Sequence, residues 1–170
     1  MKILLTLRHG DAIPGDVNNI DKQRPLSEKG KKELKRLRKQ EPDLFQSIDL
    51  ILCSSSTRTR QTLDCIMKGL PDRVMICYLD NLYDSSVDTL IQEISLVDNK
   101  FNSIMLVGHN PELTTLMNRV CEHQELPMDK SMTTGSIGEF TVKNESWQNL
   151  TVKDLKFMRL ITPKKQVICS

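Results

Sequence analysis

Apolar stretches of strand length alternate along the chain with amphipathic stretches of helix length. Runs rich in Leu, Ile and Val predict strands at 2–7, 50–53, 74–79, 104–107, 138–142 and 147–151, the last two as an antiparallel hairpin across 143–146. Between them, spacings of three and four residues predict helices. The first spans 28–39 behind Ser27, an N-cap residue, and turns Leu34 and Leu37 inward. Others follow at 57–68, at 87–97 behind Ser86, and at 111–121, where Asn110-Pro111 reads as an N-cap followed by proline at the first helical position. This alternation predicts the α/β class: a three-layer α/β/α sandwich around a mostly parallel central sheet, whose strands are apolar because helices cover both faces. No repeat or linker interrupts it, so residues 1–162 read as one domain and 163–170 as a C-terminal tail.

A chain of 170 residues is long enough to bury about 70% of the surface its unfolded form exposes. With 38% apolar and 27% charged residues and only 7 Gly and 7 Pro, it is neither fibrous nor low-complexity. Twenty-four basic against 22 acidic residues leave a net charge of +2, so bulk charge points to neither nucleic acid nor membrane, and any anion site must be local. The opening apolar run is broken at once by Arg8-His9-Gly10, which excludes a secretory signal, and no stretch has membrane-spanning length. Five widely spaced cysteines, an odd number, predict reduced, buried thiols in a cytoplasmic protein. Two N-x-[ST] triplets, at Asn144 and Asn149, read as chance in that setting. The helix at 28–39 carries seven Lys or Arg, read as a solvated face, with a docking surface for a charged partner as the alternative.

The chemistry concentrates at strand ends. Leu4-Leu5-Thr6-Leu7-Arg8-His9-Gly10 and Met105-Leu106-Val107-Gly108-His109-Asn110 each close an apolar strand on a histidine, whereas His123 lies in a polar setting and reads as surface. Ligands of open α/β sheets bind beyond the carboxyl ends of the strands, so neighbouring strands would bring both imidazoles to one crevice. A third strand ends at Cys53-Ser54 and leads into a helix bearing Arg58. Guanidinium groups match phosphoryl oxygens in charge and in donor geometry. Arg8, Arg58 and the two histidines therefore predict a pocket for a tetrahedral anion. A G-x-S-x-G elbow, a P-loop, a G-x-G-x-x-G turn, a C-x-x-C pair and an H-E-x-x-H helix are all absent, and so few histidines argue against a metal site.

Four blocks in order, Arg8-His9-Gly10, Arg24-Pro25-Leu26-Ser27-Glu28-Lys29-Gly30, Ser54 through Arg58 to Gln61-Thr62, and Val107-Gly108-His109-Asn110-Pro111, resemble the histidine phosphatase superfamily of phosphoglycerate mutase-like enzymes. Among these the chain is most similar to the compact SixA-type protein phosphohistidine phosphatases. Beyond Pro111 the likeness rests mainly on Thr133-Thr134-Gly135-Ser136. The resemblance implies a cofactor-free, metal-independent phosphatase in which His9 is the nucleophile. It implies that Arg8, Arg58 and His109 bind the transferring phosphoryl group, with Arg24 touching phosphate or substrate. Its expected partner is a phosphohistidine-bearing protein, such as a phosphotransfer domain, met by a monomer.

The chain departs from larger relatives at the general acid. They place a Glu after the third strand, and here that position falls on Asn81 within Asp80-Asn81-Leu82-Tyr83-Asp84. Asp80, Asp84 or Asp88 would have to substitute, and each also reads as an ordinary turn or cap residue. A missing acid suits the labile P–N bond of phosphohistidine better than an alkyl phosphate. Two rival readings use the same residues: a phosphatase of a small phosphorylated metabolite, and a catalytically silent domain that binds phosphohistidine.

Overall fold

The computed structural model describes residues 1–15, 20–126 and 131–163. Its strands are β1 (Lys2–Arg8), β2 (Leu50–Ser54), β3 (Met75–Leu79), β4 (Ser103–Gly108), β5 (Ile137–Val142) and β6 (Leu155–Ile161). Its α-helices are α1 (Glu28–Gln40), α2 (Pro42–Gln46), α3 (Thr57–Ile66), α4 (Val87–Ser95) and α5 (Glu112–His123). Among the described residues the six strands form one sheet in the order β3-β2-β4-β1-β5-β6. The first four run parallel, and β5 and β6 extend the sheet antiparallel beyond β1.

The apolar strand runs are explained by burial on both faces. Leu5, Leu7, Ile51, Cys53, Met105 and Val107 pack with Leu34 and Leu37 of α1 and Leu63 and Ile66 of α3. Their alternating neighbours Leu4, Leu50, Leu52, Ile104 and Leu106 pack with Leu90 and Ile94 of α4 and with Leu113, Leu116 and Val120 of α5. Helices thus cover the sheet on both sides, as the alternation predicts. Ser27 caps α1 by accepting from the Gly30 amide at 3.0 Å, and Ser86 caps α4 by accepting from Thr89 at 3.1 Å. The start of α1 also braces the loop after β1. Ser27 donates its backbone N–H to the Asp11 carbonyl and its hydroxyl to the Asp11 carboxylate, and Gly30 packs so closely that a Cβ there would lie 2.3 Å from the Asp11 carbonyl oxygen.

The hairpin departs from expectation. Residues 147–151 are not a strand, and the partner of β5 is β6, after a longer connection. Trp147 is the reason: it is fully buried, its backbone N–H donates to Asn99 Oδ1 at 2.9 Å and its indole N–H to the Phe101 carbonyl at 2.8 Å. Glu145 and Asn149, with φ of 50° and 57°, turn the chain on either side of it in a way a strand does not allow. The chain straightens only after Thr151 and Asp154 form a capping box around a short 3-10 turn. Replacing Trp147 by Ala is expected to cost about 3–5 kcal/mol of stability, measured by denaturant unfolding followed by circular dichroism. A loss below about 1 kcal/mol would contradict this account of the loop.

Smaller differences sit at helix ends. The helix predicted to Lys68 gives way after Ile66 to a 3-10 turn, Met67–Gly69, and the short α2, which opens on Pro42 at its first position, is additional to the predicted helices. The Asn110-Pro111 peptide is cis and α5 begins at Glu112, while the Asn110 side chain still caps it by accepting from the Thr114 amide at 3.2 Å. Cys53, Cys65, Cys77 and Cys121 are free thiols, the first and last buried and the other two half-buried; Cys169 lies outside the described residues. Of the predicted tail only Pro163 is described, and 164–170 lie outside. Among the described residues no helix is long and apolar enough to cross a membrane.

Candidate active site

Sheet order and register decide what meets at the carboxyl ends of the strands. Strand β4 lies between β1 and β2, and Arg8 pairs with Gly108, so the next residues, His9 and His109, leave the sheet side by side. The His9 amide donates to the Gly108 carbonyl at 3.0 Å, and the two imidazole centroids stand 5.3 Å apart. On the other side of β4, Ser54 ends β2 with its hydroxyl 2.8 Å from His109 Nε2. The chain then turns into α3, whose first turn carries Arg58. The three strand ends singled out by the sequence thus converge.

Each side chain is held in a defined state. His9 Nδ1 lies 2.7 Å from the Gly10 carbonyl oxygen. A carbonyl only accepts, so Nδ1 carries the proton and the lone pair sits on Nε2. The loop behind it is pinned because Gly10 N–H donates to the Thr62 hydroxyl, which in turn donates to the Arg58 carbonyl. Burial, opposed by the Gly10 carbonyl and reinforced by Arg58, Arg8 and Arg24, pushes the His9 pKa down to about 4. Burial and then the neighbouring His9 and Arg58 push that of His109 down to about 3. Both rings are therefore uncharged at neutral pH. Arg8 donates through Nη1 to the Met132 carbonyl at 2.7 Å. Its Nε and His109 Nδ1 are buried nitrogens with no hydrogen-bond partner among the described residues.

The Arg58 side chain is 8% exposed and donates from Nη1 to the Asp21 carbonyl at 2.7 Å and from Nη2 to Asp21 Oδ2 at 3.0 Å. Asp21 also accepts from the Tyr83 hydroxyl at 2.7 Å and from Arg24 Nη1 at 2.8 Å. Arg24 is joined to the cluster through Asp21, and its Nε donates to the Ile13 carbonyl. A cleft of about 350 Å³ opens here, lined by Asp21, Arg58, Tyr83, Asp84, His109 and Glu112 together with the Asn110-Pro111 segment. Among the described residues no set of three His, Cys, Asp or Glu side chains is placed to hold a metal ion.

The sequence singles out Arg8, His9, Arg58 and His109, and they gather at one strand-end site. Of the residues weighed as the acid, Asp84 alone lines the cleft. Asn81 donates to Glu93 of α4, Asp80 is paired with Lys22 and Ser55, and Asp88 faces Arg119 at 3.6 Å. Ser54 is read from the sequence only as a strand end, and Asp21, Tyr83 and Glu112, which belong to the same neighbourhood, are not singled out. Their signals are weak: Asp21 stands three residues before Arg24, Glu112 follows Pro111, and Tyr83 is the aromatic residue of the segment Asp80-Asn81-Leu82-Tyr83-Asp84.

With both rings uncharged, their NMR resonances are expected to stay still as pH falls through the ordinary histidine value near 6.5 and to move only as it nears about 4 for His9 and about 3 for His109. In the window between the unfolded and folded values the unfolded chain binds more protons, so stability should also decline as pH falls from about 6.5 toward 4. Titration of His9 near 6.5 would contradict this description of the site.

No known family profile matches the chain. An uncharacterised protein of Mycobacterium tuberculosis is 34% identical over 111 residues, which is 65% of this chain and 66% of that protein, so just under two thirds of the relative's length is spanned. Among solved structures, a putative phosphohistidine phosphatase SixA from Agrobacterium tumefaciens superposes with a TM-score of 0.78 at 23% identity, covering 95% of this chain and 98% of that one. A protein histidine phosphatase SixA complexed with tungstate superposes at 0.76 and 22% identity, covering 95% and 97%. Likeness at this identity over nearly the whole chain is a likeness of fold, and the chain has the phosphoglycerate mutase-like fold that these structures share.

Proposed function

We propose that the chain is a phosphohistidine phosphatase that removes the phosphoryl group from phosphohistidine on a protein by way of phospho-His9. The observation that carries this reading is the 2.7 Å bond from His9 Nδ1 to the Gly10 carbonyl, which leaves Nε2 with a lone pair beside Arg8, Arg58 and His109. A neutral, oriented imidazole is a nucleophile, and a cationic one is not. In the first step Nε2 attacks phosphorus, a bond from His9 to phosphorus forms, and the bond from phosphorus to the substrate imidazole breaks. The departing imidazole nitrogen takes up a proton from solvent. Water then attacks phospho-His9, releasing inorganic phosphate and restoring the free ring.

Charge in both transition states is spread over three phosphoryl oxygens. Arg8 and Arg58 supply fixed positive charge close to His9. Preorganised groups of this kind lower the barrier because they need no rearrangement as charge develops. The tungstate complex of the SixA neighbour supports the reading, since tungstate is a tetrahedral oxyanion like phosphate. The partner proposed is a phosphohistidine-bearing protein whose ring reaches the open cleft while its surface stays outside, with the chain acting as a monomer.

Asn81 is turned toward α4, and an amide delivers no proton to a leaving group. The enzyme is therefore expected to cleave P–N bonds well, an aryl phosphate less well, and the alkyl phosphate of phosphoserine barely. The test compares kcat/KM for the three, with and without a chelator, in the wild type and in Asp84→Asn and Glu112→Gln. Equal cleavage of phosphoserine and phosphohistidine, or its loss in one acidic variant alone, would favour a small-metabolite phosphatase with a working acid.

A further inference from the structure

We infer that Asp21 is a positioning residue for the phosphate pocket, acting through Arg58 and Tyr83; the inference rests on the functional reading above. Asp21 holds Arg58 by two oxygens at once, its carbonyl on Nη1 and its carboxylate on Nη2. Two contacts to different nitrogens fix both the reach of the side chain and the rotation of the guanidinium plane. A guanidinium has five N–H groups. Among the described residues Asp21 takes one N–H on each terminal nitrogen, and the remaining donors are shared between the neighbouring Tyr83 hydroxyl and any phosphoryl oxygens.

The same carboxylate oxygen that binds Arg58 accepts from the Tyr83 hydroxyl at 2.7 Å. The Tyr83 ring stands edge-on to His109, with centroids 5.6 Å apart, and the Arg58 guanidinium carbon lies 5.8 Å from its centre. One carboxylate therefore ties together the cation, the aromatic wall and, through that wall, the second histidine. The other oxygen binds Arg24, which is anchored to the Ile13 carbonyl, so the clamp is braced against the segment after β1. Hydrogen bonds from Tyr83 and Arg24 hold the Asp21 carboxyl well below the usual range, and the clamp stays charged at neutral pH. Asp21 in turn pushes the Tyr83 phenol pKa up, which makes Tyr83 a strut and a wall and a poor proton source.

An opposite role is also chemically meaningful. A carboxylate on Arg58 is an internal anion that would compete with the phosphoryl group for the same donors. The two roles predict opposite signs for anion binding. As a positioning residue, Asp21 lets the phosphoryl group meet a guanidinium already aimed, so its loss weakens binding; as a competitor, its loss strengthens it.

The experiment uses the full chain as wild type, Asp21→Asn, Arg58→Ala and the double variant, with tungstate binding by calorimetry and steady-state turnover of an aryl phosphate. Asp21→Asn is expected to weaken tungstate binding and to lower kcat, each on the order of 10- to 100-fold, through misplacement of a single group. In the Arg58→Ala background the same substitution should cost markedly less, because the pathway through Arg58 is gone and only that through Tyr83 remains. Tighter tungstate binding in Asp21→Asn, kinetics unchanged beside a lowered Tm, or an equal loss in both backgrounds would each overturn the inference. A wild type that binds tungstate and hydrolyses no phosphate would overturn the functional reading instead, and the binding comparison would still decide the role of Asp21.

Discussion

Replacing His9 by Ala is expected to abolish turnover, with kcat falling on the order of 10⁴-fold or more, as when the nucleophile of a covalent mechanism is removed. The structure gives two reasons for so large an effect. Of the two strand-end imidazoles, that of His9 has its protonated nitrogen fixed by a carbonyl, whereas His109 Nε2 is hydrogen-bonded with the Ser54 hydroxyl. The His109 ring is oriented by that contact, and neither of its nitrogens is fixed by a carbonyl as His9 Nδ1 is. The check is phosphate release from a phosphohistidine protein by purified His9→Ala whose far-ultraviolet circular dichroism matches the wild type. Retention of more than about a tenth of wild-type activity would remove His9 from the role of nucleophile.

The next largest effects belong to the groups around the anion. Arg58→Ala and His109→Ala are each expected to lower kcat by about 10² to 10³, or about 2.7–4 kcal/mol of transition-state stabilisation, by analogy with loss of one oxyanion donor. Arg58 is the sharper test because its side chain is nearly buried and is already aimed by Asp21. The losses should not add in the double variant, since both groups act on one phosphoryl group as a unit. Inhibition by vanadate should weaken in parallel with kcat/KM. Undiminished vanadate inhibition of Arg58→Ala would place that arginine outside the pocket.

The convergence of Arg8, His9, Arg58 and His109 was legible because it follows from strand ends. Arg8, His9 and His109 stand at the ends of apolar runs and Arg58 in the first turn of the helix that follows one, and burial on both faces makes those runs unambiguous. The sequence left open only whether the strands were neighbours, and the register of Arg8 against Gly108 shows that two of them are. The α-helix starts at Ser27 and Ser86 were equally legible, because a capping hydroxyl is a local signal. What escaped was tertiary. Trp147 looks like a strand residue, but its indole serves as an anchor to Phe101, and φ values at Glu145 and Asn149 that no pattern announces carry the chain around it. Asp21 and Tyr83 are far apart in sequence and acquire meaning only when a 3-10 turn at Asp21–Gln23 and the segment after β3 bring a carboxylate and a phenol onto Arg58. Asn81 was placed by position in the chain, and its side chain points to Glu93 because a neighbouring helix offers it a partner there.

The most direct test of the central claim is a rapid-quench single turnover with a protein carrying radiolabelled phosphohistidine, followed by mapping of the label under alkaline conditions. The account predicts a transient phosphoramidate on His9, labile in acid and stable in base, that rises before phosphate appears and decays as it is released. Phosphate released at the full rate with no label on His9, or with label on another residue, would contradict it.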